Sequence, residues 1–189
     1  MHVRTFIARR FGVMALALAV AAVTAGCPPN PNIPRPPGTD GGAKWAFAIA
    51  EPVIHGIAAD AELRTVIGAA VNLDGRLPSN GGSWSFTAWS PTRSTVQVTV
   101  SANGTTSTTQ RNEAAPGPGI EVPLPAWADS IQVFAATNGH RDPGASIAQL
   151  VVLNLASYSK APGKATWGMN FDAGPNQLVA ANATYVGAE

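Results

Sequence analysis

The residues able to act as catalytic bases are few and widely spaced. Apart from His2, which lies near the amino terminus, the histidines are His55 and His140. His55 falls in an apolar stretch, where a histidine is more often packed than catalytic, and His140 falls in a loop with Gly and Pro. No Gly-x-Ser-x-Gly motif, phosphate-binding glycine loop or dinucleotide fingerprint accompanies them. We therefore predict that the protein is not an enzyme. The alternative is a hydrolase that uses His55 or His140 in an unfamiliar site.

Metal ligands and cofactor motifs are equally sparse. The single cysteine and the histidines do not have the spacing of a zinc site. Asp60, Glu62 and Asp74 carry oxygen donors, but they lack the dense alternation of a calcium-binding loop. We expect these acids in turns and caps, and we predict no metal site and no cofactor.

The candidate binding residues lie on a predicted strand that begins at Trp84. Alternate side chains of an extended chain point to opposite faces, so the apolar side chains of Trp84 and Phe86 share one face. The other face carries the predicted binding surface, which consists of Ser85, Thr87 and Trp89. An exposed indole beside hydroxyl groups suits contact with a protein or a carbohydrate. The alternative is that the loop of residues 105–119 covers Trp89.

The only cysteine follows a secretory signal. Residues 1–26 have a basic start, an apolar run and small residues at the end, which is the pattern of a signal peptide. A single cysteine cannot form an internal disulfide. The sequence Thr24-Ala25-Gly26-Cys27 resembles the lipobox of bacterial lipoproteins, with threonine in the place of the usual leucine. The resemblance implies cleavage between Gly26 and Cys27 and lipid modification of Cys27. The alternative is an unmodified cysteine in a secreted protein.

The segment after the cysteine predicts a spacer between a membrane and a folded domain. Residues 28–42 read PPNPNIPRPPGTDGG, a composition that favours extended polyproline structure ending in flexible glycines. We therefore assign residues 27–43 to the lipidated cysteine and a linker, and residues 44–189 to the folded domain. By resemblance to enterobacterial sorting, the absence of aspartate after Cys27 indicates an outer-membrane or cell-surface position. The resemblance thus implies attachment to a membrane through the lipid anchor.

Charge and composition bear on the class of partner. Removal of residues 1–26 takes away three arginines and leaves nine basic and eleven acidic side chains, a net charge of −2. No basic patch for nucleic acid remains. Only 12% of the residues are charged, and 35 are Gly or Pro, which favours a turn-rich domain outside the cytoplasm. We therefore expect no nucleic acid as a partner.

The spacing of apolar and turn-forming residues predicts the elements of the folded domain. Their order is a helix over 44–60, a strand over 63–73, a hairpin over 84–104, a long connection over 105–119, a short helix from Asp129 to Gly139, and strands over 149–155, 166–171 and 177–186. Pro52 interrupts the first helix, which either begins near Glu51 with the proline in its first turn or kinks there. Each half therefore consists of a helix, a strand and a strand pair that opens on tryptophan.

This order comes with an Ala-rich helix before a Gly-containing strand, an Asp74-Gly75 turn, and Trp84-x-Phe86 followed by Ser90-Pro91. Together these features resemble the helix-plus-antiparallel-sheet modules of PepSY-like and beta-lactamase-inhibitor-like proteins. The resemblance implies a protein partner in the envelope or among secreted proteins. We accordingly predict an α+β fold with two helix-plus-antiparallel-sheet repeats, 44–104 and 125–187, that form one domain behind the signal peptide and the Pro-rich stalk. The resemblance implies a non-catalytic function, the binding or inhibition of another protein or envelope molecule. The alternative is a β-sandwich carbohydrate-binding module, which requires both predicted helices to be extended instead.

Overall fold

Eight antiparallel strands form one sheet, and two helices accompany it. The structure is a computed structural model that describes residues 41–79, 81–92, 94–111, 124–155, 160–161 and 163–189. The elements are α1 (Ala43–Ile57), β1 (Glu62–Asn72), β2 (Ser83–Ser90), β3 (Ser94–Ser101), β4 (Thr106–Arg111), α2 (Ser130–Ala136), β5 (Ile147–Asn154), β6 (Thr166–Phe171), β7 (Gln177–Ala180) and β8 (Tyr185–Ala188). The strand order is β4-β3-β2-β1-β5-β6-β7-β8, so β1 and β5 occupy the centre of the sheet.

The prediction of two helix-plus-sheet repeats is wrong. The first and last four strands belong to one continuous sheet, because β1 pairs with β5 from Val66 opposite Leu153 to Asn72 opposite Ile147. Strands make up 43% and helices 17% of the described chain. α1 packs against β2 and β3, while α2 has only seven residues, too few to cover a second sheet. The β-sandwich alternative also differs from the structure, because the described strands form a single sheet and both predicted helices are helical.

The hairpin of β2 and β3 confirms the predicted alternation. Trp84 and Phe86 are fully buried, and β2 alternates between partly exposed and buried residues along its whole length. Val100 lies opposite Trp84, and Val98 lies opposite Phe86. β-branched residues pack well on a pleated surface, so these pairs form one side of the hydrophobic core.

The first helix continues through its proline. α1 begins at Ala43 and ends at Ile57, so Pro52 lies in its interior and not in its first turn. The Pro52 side chain is exposed. The residues that α1 buries against the sheet are Ala43, Trp45, Ala46, Ala50 and Ile54. Since this face supplies the tertiary packing, the helix tolerates the missing backbone donor of the proline.

Residues at the start of α2 cap the amino terminus of α1. The Lys44 N–H donates to Oδ1 of Asp129 at 3.1 Å, and the Ala43 N–H donates to Oγ of Ser130 at 2.9 Å. The Ser130 hydroxyl in turn donates to the Gly75 carbonyl at 2.7 Å. The first N–H groups of a helix have no partner within it, so these contacts satisfy α1 and join both helices to the turn after β1.

A chain of aromatic rings fills the core between α1 and the sheet. The ring of Phe47 lies 5.3 Å from that of Phe86 and 5.8 Å from that of Trp127. Trp127 lies 5.8 Å from Trp167, which lies 6.3 Å from Trp84. These rings are tilted or edge-on, the arrangement that aromatic pairs prefer. Because Trp84 on β2 and Trp167 on β6 come from different halves of the chain, their contact joins the two halves of the sheet in one core.

Two further predictions about strands are wrong. Residues 106–111 were expected in a connection, but they form β4; residues 112–119 of that connection lie outside the described residues. The strand predicted over 177–186 is two strands, β7 and β8, separated by a turn in which Ala183 has a φ of 65°. No proline or glycine marks that turn in the sequence.

The amino-terminal predictions concern residues that the structure does not describe. The signal segment, the predicted cleavage site at Gly26 and Cys27, and the linker up to residue 40 lie outside the described residues. Gly41, Gly42 and Ala43 are buried, so the packed part of the chain includes the last residues assigned to the linker. Among the described residues, neither helix is long and apolar enough to cross a membrane.

Candidate functional site

The candidate site is the face of the sheet opposite the helices, which we call the outer face. Its side chains alternate along the strands with those that enter the core, so it is the face to which Ser85, Thr87 and Trp89 belong. All three are partly exposed. The structure therefore places the three predicted binding residues together on one face, and their role in binding stays a prediction.

One part of the outer face consists of hydroxyl-bearing side chains on neighbouring strands. Ser85 on β2 lies opposite Thr99 on β3, which lies opposite Ser107 on β4. The hydroxyl oxygens of Ser85 and Thr99 are 2.7 Å apart and share a hydrogen bond. The next row of residues comprises Thr87, Gln97 and Thr109. Each hydroxyl both donates and accepts a hydrogen bond, so these two rows can bind polar groups of either kind.

A shallow depression lies at the other end of the outer face, on β5, β6 and β7. It has a volume of about 140 Å³ and is lined by Leu150, Val152, Gly168, Met169, Asn170, Asn176 and Leu178. Leu150 is 43% exposed. Small-molecule sites usually enclose about 300–1,000 Å³, so the depression is large enough for one side chain rather than a whole ligand of that class.

Trp89 is held at the edge of the outer face by a buried arginine. The Arg64 guanidinium lies 5.4 Å from the centre of the Trp89 ring, a cation–π distance. Its Nη2 also forms a 2.9 Å ion pair with Oε2 of Glu62. Arg64 is the extra residue at a register shift between Leu63 and Thr65, and such bulges re-aim a side chain. One side of the Trp89 ring is therefore occupied by Arg64.

Several residues of the outer face were not among the predicted site residues. Arg64 gives no signal in the sequence, because its position depends on the bulge in β1. Leu150 and Val152 do give one, because the run QLVVLNL is apolar at consecutive positions, and such a run predicts a strand with apolar side chains on both faces. The suggestion that residues 105–119 cover Trp89 concerns, from residue 112 onward, residues that the structure does not describe.

The two candidate histidines lie in different places. His55 is exposed near the end of α1, with its Nδ1 3.2 Å from the Ala59 carbonyl oxygen. The His140 ring stacks on the Tyr185 ring at 3.9 Å between centroids. In the part of the chain that the structure describes, neither histidine has a hydrogen bond to a serine or a carboxylate. The structure therefore does not bring either one into a catalytic constellation with described residues.

The three acids that were weighed as calcium ligands have separate partners. Asp60 accepts a 2.6 Å hydrogen bond from the Ser90 hydroxyl, and Asp74 pairs with Arg76 at 3.1 Å. Glu62 pairs with Arg64. Over the described ranges, no group of three or more histidine, cysteine or acidic residues is placed to hold a metal ion.

Shifted pKa values occur at Lys44, Arg141 and Asp172. Burial lowers the pKa of Lys44, whose Nζ lies 3.8 Å from the centre of the Trp127 ring. Burial also lowers the pKa of Arg141. A hydrogen bond from the Ser146 hydroxyl is the main cause of the lowered pKa of Asp172. The first two shifts arise from partial burial, and the third arises from hydrogen bonds at an exposed turn.

Relatives of known function would narrow the choice of ligand. No family model, curated protein or solved structure matches the chain. The resemblance of residues 24–27 to the lipobox of bacterial lipoproteins therefore stays a prediction. The resemblance to PepSY-like modules depended on two helix-plus-sheet repeats, which the single sheet does not show. The functional conclusion depends on the chemistry of the outer face.

The side chains of the outer face offer hydrogen bonds and apolar contacts. The outer face combines rows of hydroxyl groups with an apolar depression beside the amide side chains of Asn170 and Asn176. Binding surfaces of proteins combine apolar contacts with hydrogen bonds and have few charged residues at their centre. The arrangement therefore suits reversible binding.

Proposed function

We propose that the protein is a lipid-anchored protein of the bacterial cell envelope that binds another protein through its outer face without catalysing a reaction. The observation that carries the proposal is the exposed Leu150, which lines a depression the size of one side chain on the same face of the sheet as the rows of hydroxyl groups. The signal-like segment, the lipobox resemblance at Cys27 and the Pro-rich residues 28–42 support the anchor.

Two features favour a protein over a carbohydrate as the ligand. Sugar rings stack on exposed aromatic faces, but Arg64 occupies one side of the Trp89 ring. The depression around Leu150 is apolar and small, which fits one apolar side chain of a partner. Interface energy is usually concentrated in a few such anchors in well-packed pockets. A protein partner therefore uses more of the outer face than a sugar chain does.

Site-specific photocrosslinking in intact cells tests the binding face. A photoreactive amino acid is placed at Ser85 or Leu150 in the full chain, and at exposed Gln132 on α2 as a matched control. We expect a discrete protein adduct from the two outer-face positions and none from Gln132. The same adducts from all three positions, or none from Ser85 and Leu150, would contradict the proposal.

A second variant separates binding from disruption of the fold. Leu150→Asp places a charge on the exposed edge of the depression without altering the core, so we expect loss of the adduct at Ser85 with an unchanged circular dichroism spectrum. Retention of the adduct at full yield would show that the depression does not take part in binding.

The anchor and the absence of catalysis have their own tests. Cys27→Ala should abolish both labelling by a fatty acid and membrane association. A variant that stays in the membrane fraction would show that the proposed anchor at Cys27 is wrong.

Broad hydrolase assays of the wild type and of His55→Ala and His140→Ala test the alternative that the protein is a hydrolase. Activity that either substitution abolishes would contradict a non-catalytic function.

A further inference from the structure

The two edges of the sheet differ in how they are protected against pairing with another strand. β8 at one edge has four residues, and its register with β7 shifts between Leu178 and Val179. The Lys160 ammonium donates a hydrogen bond to the Ala188 carbonyl. Short strands, irregular register and lysine are the devices that block an edge, so β8 is a protected edge.

β4 at the opposite edge has none of these devices. All six of its residues are exposed, and its pairing with β3 runs without a register shift from Thr95 opposite Arg111 to Val100 opposite Thr106. Its sequence, TSTTQR, has no proline, lysine or acid. A regular, exposed edge presents backbone N–H and C=O groups that another strand can pair with.

The turn before β4 determines which backbone groups point outward. The Ser101 N–H donates to the Thr105 carbonyl at 3.0 Å, and the Ser101 carbonyl accepts from Gly104 at 2.9 Å. The backbone N–H and C=O of Ser101 thus both point toward β4. Along an antiparallel pair, successive residues direct these two groups alternately toward and away from the neighbouring strand. Ser107 therefore bonds to β3, while the N–H and C=O of Thr106 and Thr108 point away from the sheet.

The sequence of this edge is symmetric. Residues 105–109 read Thr-Thr-Ser-Thr-Thr in both directions. We propose that β4 pairs antiparallel with β4 of a second copy of this chain about a twofold axis at Ser107. Thr106 then lies opposite Thr108 of the second copy and exchanges two hydrogen bonds with it, and the symmetric pair exchanges two more. Cross-strand pairs of threonine are favourable, and no charged residues meet within this register.

The pairing closes at a dimer. A twofold interface uses the same patch on both copies, and the protected β8 edge does not extend the assembly further. The resulting sheet also joins the hydroxyl rows of both outer faces, since Ser107 and Thr109 lie on that face.

The amount of dimer formed depends on the proposed lipid anchor. A single strand pair buries less surface than the roughly 1,200–2,000 Å² of a stable interface, so the dimer is weak in dilute solution. Anchoring in one membrane raises the effective concentration of the copies. We therefore expect the dimer in membranes that hold the full chain.

Cysteine crosslinking in those membranes tests the register. Ser107 and its equivalent form a non-hydrogen-bonded pair with Cα atoms about 4.5 Å apart, within the range of a disulfide. Two copies of residue 109 are about four residues, or roughly 13 Å, apart along the strands. Under mild oxidation we expect disulfide dimer from Ser107→Cys and only background dimer from the matched control Thr109→Cys, because Cα atoms more than about 7 Å apart cannot be bridged. The wild-type chain measures any background from Cys27.

A proline variant tests whether the backbone of β4 makes the contact. In the Ser107→Cys chain, Thr108→Pro removes an outward N–H and no bond to β3, so the disulfide dimer should fall to the Thr109→Cys level while circular dichroism is unchanged. Equal dimer from Ser107→Cys and Thr109→Cys, no dimer from Ser107→Cys, or a crosslink to a different protein would overturn the proposal. Fatty-acid labelling in the same samples reports the anchor separately, so a labelled chain that does not crosslink contradicts only the dimer.

Discussion

Two buried tryptophans at the centre of the core differ in the partner of the indole N–H. Trp84 and Trp167 are both fully buried, with rings 6.3 Å apart at 83°. Nε1 of Trp84 donates to the Gly41 carbonyl at 2.9 Å. Nε1 of Trp167 has no hydrogen-bond partner among the residues that the structure describes. We predict that Trp84→Phe lowers the free energy of unfolding more than Trp167→Phe does.

The magnitude follows from the two N–H groups. Both substitutions remove the same atoms from fully buried sites, so the losses of apolar burial are similar. Trp84→Phe also loses a hydrogen bond worth about 0.5–1.5 kcal/mol, while Trp167→Phe removes an unsatisfied donor that costs about 1–3 kcal/mol. The Gly41 carbonyl keeps a 2.9 Å bond from the Leu77 N–H, so no new unsatisfied acceptor arises. The expected difference between the variants is about 1.5–4.5 kcal/mol.

Urea unfolding followed by far-ultraviolet circular dichroism measures the difference, with Cys27→Ala as the common background. Equal slopes against urea are required, since a changed slope reports a change in the surface exposed on unfolding. The reasoning is refuted if Trp167→Phe destabilises the protein as much as Trp84→Phe or more.

Two further predictions concern a glycine in the core and a carboxylate in a turn. Gly68→Ala places its Cβ 2.4 Å from Cζ3 of Trp84 and should lower the free energy of unfolding by about 1–3 kcal/mol. The control Gly56→Ala meets no atom within 4 Å and should raise the free energy of unfolding by about 0.5–1 kcal/mol. A Gly68→Ala variant as stable in urea as the wild type would contradict the predicted clash. Ser146→Ala should raise the lowered pKa of Asp172 toward 3.8, as a carboxyl titration by nuclear magnetic resonance would show. A lowered carboxyl pKa contributes stability that is present above about pH 3.8 and is lost as the pH falls through the folded-state pKa. The Ser146→Ala variant should therefore be less stable than the wild type above about pH 3.8 and equally stable at lower pH. An unchanged Asp172 pKa would contradict the assigned cause.

Local alternation predicted the elements that bury one face. In β2 the apolar positions Trp84 and Phe86 enter the core while Ser85 and Thr87 do not, because a strand with one buried face needs a period of two. α2 was predicted from the residues around Asp129, although the Asp129 carboxylate binds the N–H of Lys44 in α1 and makes no cap bond to α2. The position of a helix start can therefore be predicted where the partner of its capping side chain cannot.

Elements without an apolar face gave no such signal. β4 is exposed at all six positions, so its polar sequence carries no periodicity, and backbone bonds to β3 hold it in place. The break between β7 and β8 occurs at Ala183, which has a positive φ that alanine rarely adopts. Its neighbour Asn182 accepts a hydrogen bond from the Thr184 N–H. Turn-forming residue types alone therefore predict neither β4 nor the break between β7 and β8.

Local sequence patterns do not predict the order of the strands in the sheet. That order also explains why the outer face carries apolar side chains. The two-repeat prediction failed because β1 and β5, far apart in the chain, are neighbours at the centre of the sheet. At this position the apolar run of β5 divides between two faces: Val151 and Leu153 enter the core, while Leu150 and Val152 line the depression on the outer face. A helix layer on one side only leaves the second apolar set facing outward. β5 has apolar side chains on both of its faces, whereas the described helices cover only one face of the sheet. Leu150 is therefore exposed on the outer face. A partner that binds this face would bury the Leu150 side chain.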